Sequence, residues 1–150
     1  MKKIIPLYIT LFMLILFSGC APKPTHLELV LKSSSDLNPD INQVPSPLMV
    51  TFYELKSAEK FIKYDYWTLL DKSGENLKDD LVSQVKHIIV PSEEQNYKIV
   101  FSDNTKFLGV ICNFRNIDNK FVWKYVINLE KNEYNYNELK IDKFNIERAQ

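Results

Sequence analysis

The clearest indication of the fold is the stretch of residues 85–129, VKHIIVPSEEQNYKIVFSDNTKFLGVICNFRNIDNKFVWKYVINL. Stretches rich in β-branched and aromatic residues alternate with short polar stretches of Asn, Asp, Ser and Pro, a pattern typical of strands and turns. The predicted strands are residues 85–90, 97–101, 107–114 and 121–129. Turns that recur about every ten residues are typical of a sandwich of two antiparallel sheets.

The chain before this segment adds two predicted strands and a long loop. Residues 26–32 alternate apolar and polar side chains, and residues 48–55 are rich in β-branched and aromatic residues, so both are predicted strands. Residues 33–47 contain three prolines and form the loop between these first two strands. Loops of this length are uncommon inside a compact domain unless they have a function.

After residue 56 the periodicity changes from that of a strand to that of a helix. We predict one helix that has Ser57 as its N-cap and ends near Ser73-Gly74. Its inward face is predicted from apolar residues at helical or near-helical spacing, namely Phe61, Tyr64, Trp67 and Leu70. Residues 76–83 are predicted as a further short helical turn, and residues 134–146 as a last strand or two.

Together these elements predict an all-β fold with a small helical insert, an antiparallel two-sheet β-sandwich of seven or eight strands. The 150 residues are enough for one domain. The 19 basic side chains balance the 19 acidic ones, so the net charge does not indicate binding to nucleic acid.

The sequence offers little catalytic chemistry. Two His and two Cys leave almost no material for a metal site, a general base or a disulfide scaffold. Three Gly exclude a glycine-rich phosphate loop. We therefore expect no enzyme, with no catalytic residues, no metal, no nucleic-acid partner and no small-molecule substrate.

Two residues, His87 and Cys112, have side chains that could be reactive. His87 is predicted on the solvent side of its strand, and Cys112 as a buried structural cysteine because it is in phase with the apolar residues around it. A nucleophilic pair of the two is conceivable, although no local sequence feature supports it. The tyrosines of residues 133–137 could stack on sugars or bases, but packing on an edge strand explains them as well.

The first twenty residues, MKKIIPLYITLFMLILFSGC, are a targeting signal. Two lysines precede an apolar run that is short for an anchor that spans a bilayer. Because Ser18-Gly19 leads directly into Cys20, the segment resembles a lipoprotein signal peptide, although Phe17 stands where such signals usually carry Leu. We predict cleavage before Cys20 and a covalent diacylglyceryl and acyl lipid on it. The alternative is an ordinary cleaved signal with an incidental cysteine.

This interpretation divides the chain into a signal peptide at residues 1–19, a lipidated tether at residues 20–25 and a periplasmic β-sandwich domain at residues 26–150. The residue after Cys20 is Ala21, whereas an Asp beside the cysteine often marks retention in the inner membrane of Gram-negative bacteria. We therefore expect the protein at the outer membrane, lipid-anchored on its periplasmic face.

Several short motifs, in order along the chain, resemble the TssJ lipoprotein family of the type VI secretion system. The matching stretches are Asn38-Pro39-Asp40, Ser46-Pro47-Leu48, Tyr53-Glu54-Leu55, Phe61, residues 64–69, Leu108-Gly109-Val110 and Phe114-Arg115. The chain departs from the family pattern at three positions: Thr51 replaces an Arg, Glu54 a Gln and Tyr64 an Ala.

The resemblance implies a transthyretin-like sandwich with a structural function. The protein would anchor the envelope-spanning complex of a toxin-injection machine to the outer membrane, and the loop between its first two strands would contact the periplasmic domain of the inner-membrane subunit TssM. The loop residues in question are Leu37, Asn38, Pro39, Asp40, Ile41, Asn42, Gln43, Val44 and Pro45.

The prolines of this loop would stiffen it, and Leu37, Ile41 and Val44 would offer apolar contacts. The alternative function is a lipidated periplasmic module that binds a small molecule or a glycan through Trp67, Trp123 and the tyrosines.

Overall fold

The computed structural model of the protein describes residues 23–118 and 120–149, without the side chains of residues 72–74. The predicted signal peptide and Cys20 lie outside the described residues. Within the described ranges the chain forms eight strands and two helices. The strands are β1 His26–Ser33, β2 Leu48–Leu55, β3 Leu81–Ile89, β4 Glu94–Val100, β5 Phe107–Cys112, β6 Lys124–Asn128, β7 Tyr134–Asp142 and β8 Asn145–Arg148. The helices are α1 Glu59–Lys63 and α2 Tyr66–Asn76.

The strands form two four-stranded sheets, in the orders β4-β1-β7-β8 and β3-β2-β5-β6. This confirms the predicted all-β sandwich with a helical insert. One feature differs from a purely antiparallel arrangement, because β1 and β7 pair in parallel. A parallel pair needs a long connection, and here the chain between β1 and β7 supplies the whole second sheet.

The main core lies between the two sheets. Alternate residues of each strand point inward, so Leu27, Leu29 and Leu31 of β1 meet Leu48, Val50 and Phe52 of β2. Cys112 is fully buried in this core, which confirms its prediction as a buried structural cysteine.

A second, smaller core covers the outer face of the β3-β2-β5-β6 sheet. There Tyr53 and Leu55 of β2 pack with Phe61 of α1 and Leu69 of α2. Gly109 of β5 makes this packing possible, since a Cβ at that position would lie 2.6 Å from the Phe61 ring. The central strand β2 is therefore buried on both of its faces.

The helical insert differs from its prediction. Two helices form instead of one, and they separate at Tyr64-Asp65, where the Asp65 carboxylate accepts hydrogen bonds from the backbone N–H and the hydroxyl of Thr68. The N-cap of α1 is Ala58, not Ser57. Because α2 restarts at a new phase, Tyr66 and Leu69 face the core, whereas Trp67 is 63% exposed.

Other predictions fail at the boundaries of elements. Residues 81–83, predicted as part of a helical turn, open strand β3, and residues 77–80 form a turn before it. His87 lies between the rings of Phe52 and Tyr97 and not on the solvent side of its strand. By contrast, the edge-strand interpretation of Tyr134 and Tyr136 agrees with the structure: they pair with β1 on one side only, because β8 pairs with β7 from Leu139 onward. Neither helix in the described part of the chain is long and apolar enough to cross a membrane.

Candidate functional site

The buried side chain of Asn38 helps to hold the loop between β1 and β2 to the sandwich. Its amide Nδ2 donates to the Pro47 carbonyl at 2.9 Å, and its Oδ1 accepts from the Arg115 backbone N–H at 2.8 Å. Its own backbone N–H donates to the Lys143 carbonyl at 2.9 Å. Asn38 therefore ties together the loop, the segment after β5 and the turn between β7 and β8.

The backbone conformation at residue 38 explains why an asparagine occupies this position. Its φ is 45°, in the left-handed region that Asn adopts more readily than most residues. Asn38 is only 3% exposed, so every polar atom of its side chain needs a partner inside the protein. Two side-chain hydrogen bonds supply those partners, and together with the backbone bond to Lys143 they fix the start of the loop.

The tip of the loop is a compact turn built around Asp40. The Asp40 carboxylate accepts hydrogen bonds from the backbone N–H groups of Asn42 and Val44, at 2.8 and 2.9 Å. The Asp40 backbone N–H donates to the Val44 carbonyl at 2.9 Å. The turn projects Ile41 into solvent, where its side chain is 94% exposed. The turn therefore presents an apolar side chain to solvent in a fixed position.

Beside the tip lies a groove of about 650 Å³, which we call the loop groove. Its wall on the loop side contains Pro39, Asp40, Ile41 and Gln43, and its opposite wall contains Arg115, Asn116, Lys143 and Phe144. Lys143 Nζ donates to Gln43 Oε1 at 3.0 Å across the two walls. Three segments distant in the sequence thus form one continuous surface at this end of the sandwich.

The structure divides the predicted loop residues into two groups. Leu37, Asn38 and Pro39 are buried, so Leu37 belongs to the core and offers no apolar contact in this conformation. Residues 41–45 are exposed, and Asp40 lies between the two groups. The first group holds the loop in place, and the second presents it to solvent.

Sequence reasoning missed Arg115, Lys143 and Phe144 as parts of this surface. They follow β5 and β7, far from the loop in sequence, and no local pattern links them to it. One signal was present, since Arg115 is one of only two arginines in the chain, but its neighbours could come only from the tertiary structure.

A second concave site, of about 320 Å³, opens between the edge strands β3 and β4. His87 lies there with its ring centroid 4.6 Å from those of Phe52 and Tyr97. Burial lowers the pKa of His87, which disfavours its charged form. The lining is mostly apolar, and Glu54 and Lys98 supply charges at the edge of the cavity.

The nucleophilic pair of Cys112 and His87 does not form. Both residues pair with Val50, from opposite sides, so two strand spacings of about 4.8 Å each separate their backbones. Burial raises the pKa of the Cys112 thiol, which keeps it in the unreactive thiol form. In the described part of the chain, no three His, Cys, Asp or Glu side chains are grouped so that they could hold a metal ion.

The aromatic residues of the alternative function do not converge on one site. Trp67 and Trp123 flank Tyr66, with ring centroids 5.1 and 5.2 Å from it, in the helical layer. Tyr134 and Tyr136 are exposed on the other sheet, where their hydroxyls bond to Glu28 and Glu138. The two groups lie on opposite sides of the sandwich and cannot grip one ligand together.

Comparison with known families gives one match. A model of the family described as "Type VI secretion lipoprotein, VasD, EvfM, TssJ" matches residues 25–144. No curated protein matches the chain.

Solved structures share the fold over nearly the whole described domain. The type VI lipoprotein TssJ1 from Pseudomonas aeruginosa is 25% identical with a TM-score of 0.79, over 84% of this chain and 95% of that one. Lip from Serratia marcescens, described as a membrane bound component of the type VI secretion system, is 15% identical with a TM-score of 0.76, over 85% and 99%. A chain in a structure described as the type VI protein TssM C-terminal domain from EAEC is 21% identical with a TM-score of 0.71, over 84% and 98%.

Proposed function

The chain belongs to the type VI secretion lipoprotein family, and from that premise we propose that it anchors the envelope-spanning membrane complex of a type VI secretion system to the outer membrane. The lipid on Cys20 attaches the protein to the outer membrane. The loop between β1 and β2 binds the periplasmic domain of a TssM-like inner-membrane subunit. This function is structural and requires no catalytic group.

The lipid supplies the membrane attachment. Each acyl methylene buried in the bilayer contributes roughly 0.8 kcal/mol, so the several acyl chains of a bacterial lipoprotein hold a small domain firmly at the membrane. The tether of residues 20–25 separates Cys20 from β1, which begins at His26. The absence of Asp at residue 21 supports the outer membrane as its location.

The observation that carries the binding role is the fixed loop with an exposed apolar tip. A loop that is ordered before binding loses less conformational entropy on association than a flexible one. Asn38 and Asp40 order the loop through hydrogen bonds of both their side chains and their backbones. Support for a TssM-like partner comes from the family and from the presence of this fold in a structure described as a TssM C-terminal domain.

The anchoring role is tested by the substitution Cys20→Ser in cells. We expect type VI secretion to be lost, while the protein accumulates unlipidated and folded in the periplasm. The neighbouring substitution Ala21→Ser is the control and should leave secretion unchanged. Full secretion by the Cys20→Ser protein at normal abundance would contradict the proposal.

The binding role is tested by replacing residues 41–44 with Gly-Ser-Gly-Ser, which spares the buried residues 37–39. Binding to the purified periplasmic domain of the TssM-like protein of the same organism should become undetectable by calorimetry. The control replaces Asp103-Asn104, an exposed turn at the opposite end of the sandwich, with Gly-Ser. If the loop variant binds like the wild type, the binding site lies elsewhere on the molecule.

A further inference from the structure

We propose that the loop groove recognises an acidic segment of the partner, in which a carboxylate lies between Arg115 and Lys143 and a neighbouring apolar side chain packs on Ile41 and Phe144. This inference rests on the proposed function and deepens it, because it assigns the partner's chemistry and adds two further elements of the fold to the binding surface.

The charges of the groove favour an anion. Its walls contain two cations, Arg115 and Lys143, and one carboxylate, Asp40. The Asp40 carboxylate already accepts two backbone N–H groups of the loop tip, whereas the guanidinium of Arg115 has no hydrogen-bond or ion-pair partner within the described part of the chain. An exposed guanidinium without a partner presents a planar fork of donors that matches a carboxylate.

The positive charge of the groove contrasts with the rest of the domain. Once Lys2 and Lys3 are set aside with the signal peptide, the remaining chain has two more acidic than basic side chains. A cationic groove on a slightly acidic domain discriminates between partner surfaces, since it attracts an acidic patch while the rest of the domain repels it.

The apolar part of the groove lies directly beside its cations. The Phe144 ring is supported from behind by Phe121 and Phe114, with centroid separations of 5.0 and 6.1 Å. Lys143 Nζ lies 6.0 Å from the centroid of the same ring. Ile41 stands on the opposite wall. A partner segment therefore meets an aromatic ring and two cations on one wall and an aliphatic side chain on the other.

The two walls keep a fixed separation because Asn38 joins them. Its hydrogen bonds reach the backbones of Arg115 and Lys143, so the same buried residue that orders the loop also fixes the backbone positions from which both cationic side chains extend. Because of this preorganisation, the binding surface includes residues 115, 116, 143 and 144 in addition to the residues of the loop.

The test is charge reversal in the processed, lipidated chain in detergent micelles, with binding to the periplasmic domain of the TssM-like protein measured by calorimetry. Arg115→Glu and Lys143→Glu should each weaken binding roughly 30-fold or more, because each places a negative charge opposite the partner's carboxylate. Arg148→Glu is the matched control: it makes the same charge change at the other arginine, at the far end of β8 from the groove, and should leave affinity unchanged. Circular dichroism checks that each variant is folded.

The outcomes separate this inference from the proposed function. If the Arg115→Glu and Lys143→Glu variants bind with the affinity of the wild type, the inference is wrong, but the proposed function still holds. An equal loss in the Arg148→Glu control also overturns it, since a general field would then explain the effect. If the wild-type chain itself does not bind, the proposed partner is wrong, and the inference falls with it. The inference is supported if the affinity of the wild type falls as the NaCl concentration is raised and the affinity of the Arg115→Glu variant falls less.

Discussion

The loop end of the sandwich and the helical layer on its outer face are held in place by different forces. The loop has no regular secondary structure, and buried hydrogen bonds around Asn38 fix it. The helical layer packs on the sheet through apolar contacts, with Phe61 seated over Gly109. Neither a short irregular segment nor a short helix is stable alone. The difference shows that the rest of the protein can fix the first by hydrogen bonds and the second by apolar packing.

One lysine side chain adds polar contacts to the helical layer. The Lys124 ammonium of β6 donates to the carbonyls of Phe61, Ile62 and Tyr64, at 2.8, 2.8 and 2.7 Å. These carbonyls lie at the end of α1, which has only five residues and could not persist in isolation. The lysine satisfies the acceptors that the end of a short helix leaves without partners, whereas in the loop apart from Leu37 polar contacts predominate.

The largest effect is expected from the apolar side of this comparison. Phe61→Ala should lower the free energy of unfolding by about 3–5 kcal/mol, because it removes a fully buried ring and leaves a cavity. Urea unfolding of residues 21–150 measures the loss. The adjacent Ile62 is 60% exposed, so Ile62→Ala should change stability by less than about 0.5 kcal/mol. Similar losses in both variants would show that the helical layer is not held by burial.

A smaller loss is expected from the polar side. Asn38→Ala should cost about 2–3 kcal/mol, because the Arg115 N–H and the Pro47 carbonyl lose their partner inside the protein. Amide hydrogen exchange at Arg115 should accelerate in the variant. Asn42→Ala, a change at an exposed position on the same loop, is the control and should leave both measurements unchanged. A slowly exchanging Arg115 amide in the Asn38→Ala variant would contradict the assigned role.

The smallest effect tests how tightly the helix is seated. Gly109→Ala should destabilise the fold by about 1–3 kcal/mol, since the added methyl group would overlap the Phe61 ring and push α1 away. In a Phe61→Leu background the same substitution should cost less, because the smaller side chain leaves room for it. A double-mutant cycle measured by urea unfolding gives this coupling. Strictly additive effects would show that the ring and the glycine are not in contact.

The helical insert shows what apolar spacing in a sequence can and cannot predict. Apolar spacing correctly predicted helix in this segment, but it could not reveal that the chain breaks at Tyr64-Asp65. Asp65 caps a new helix through Thr68, and that local competition changed which residues face the core. Trp67 is exposed for this reason although the spacing predicted it inside.

His87 shows a second limit of the same kind. Strand alternation places residues on one face or the other, but it does not say which face the partner sheet covers. The ring of Tyr97, from the opposite sheet, encloses His87 beside Phe52. The position of Tyr97 depends on the packing of two sheets, which no local pattern encodes.

The two-sheet sandwich, the buried Cys112, the position of the loop and the family resemblance could all be predicted from local patterns, because β-branched runs, turn residues and short ordered motifs are local properties. The parallel pairing of β1 with β7 and the assembly of the loop groove arise only when the whole chain folds. Arg115, Lys143 and the loop come from three separate parts of the chain. Their meeting depends on how the sheets close around the core and on the hydrogen bonds of one buried asparagine, and both are long-range effects that no window of sequence contains.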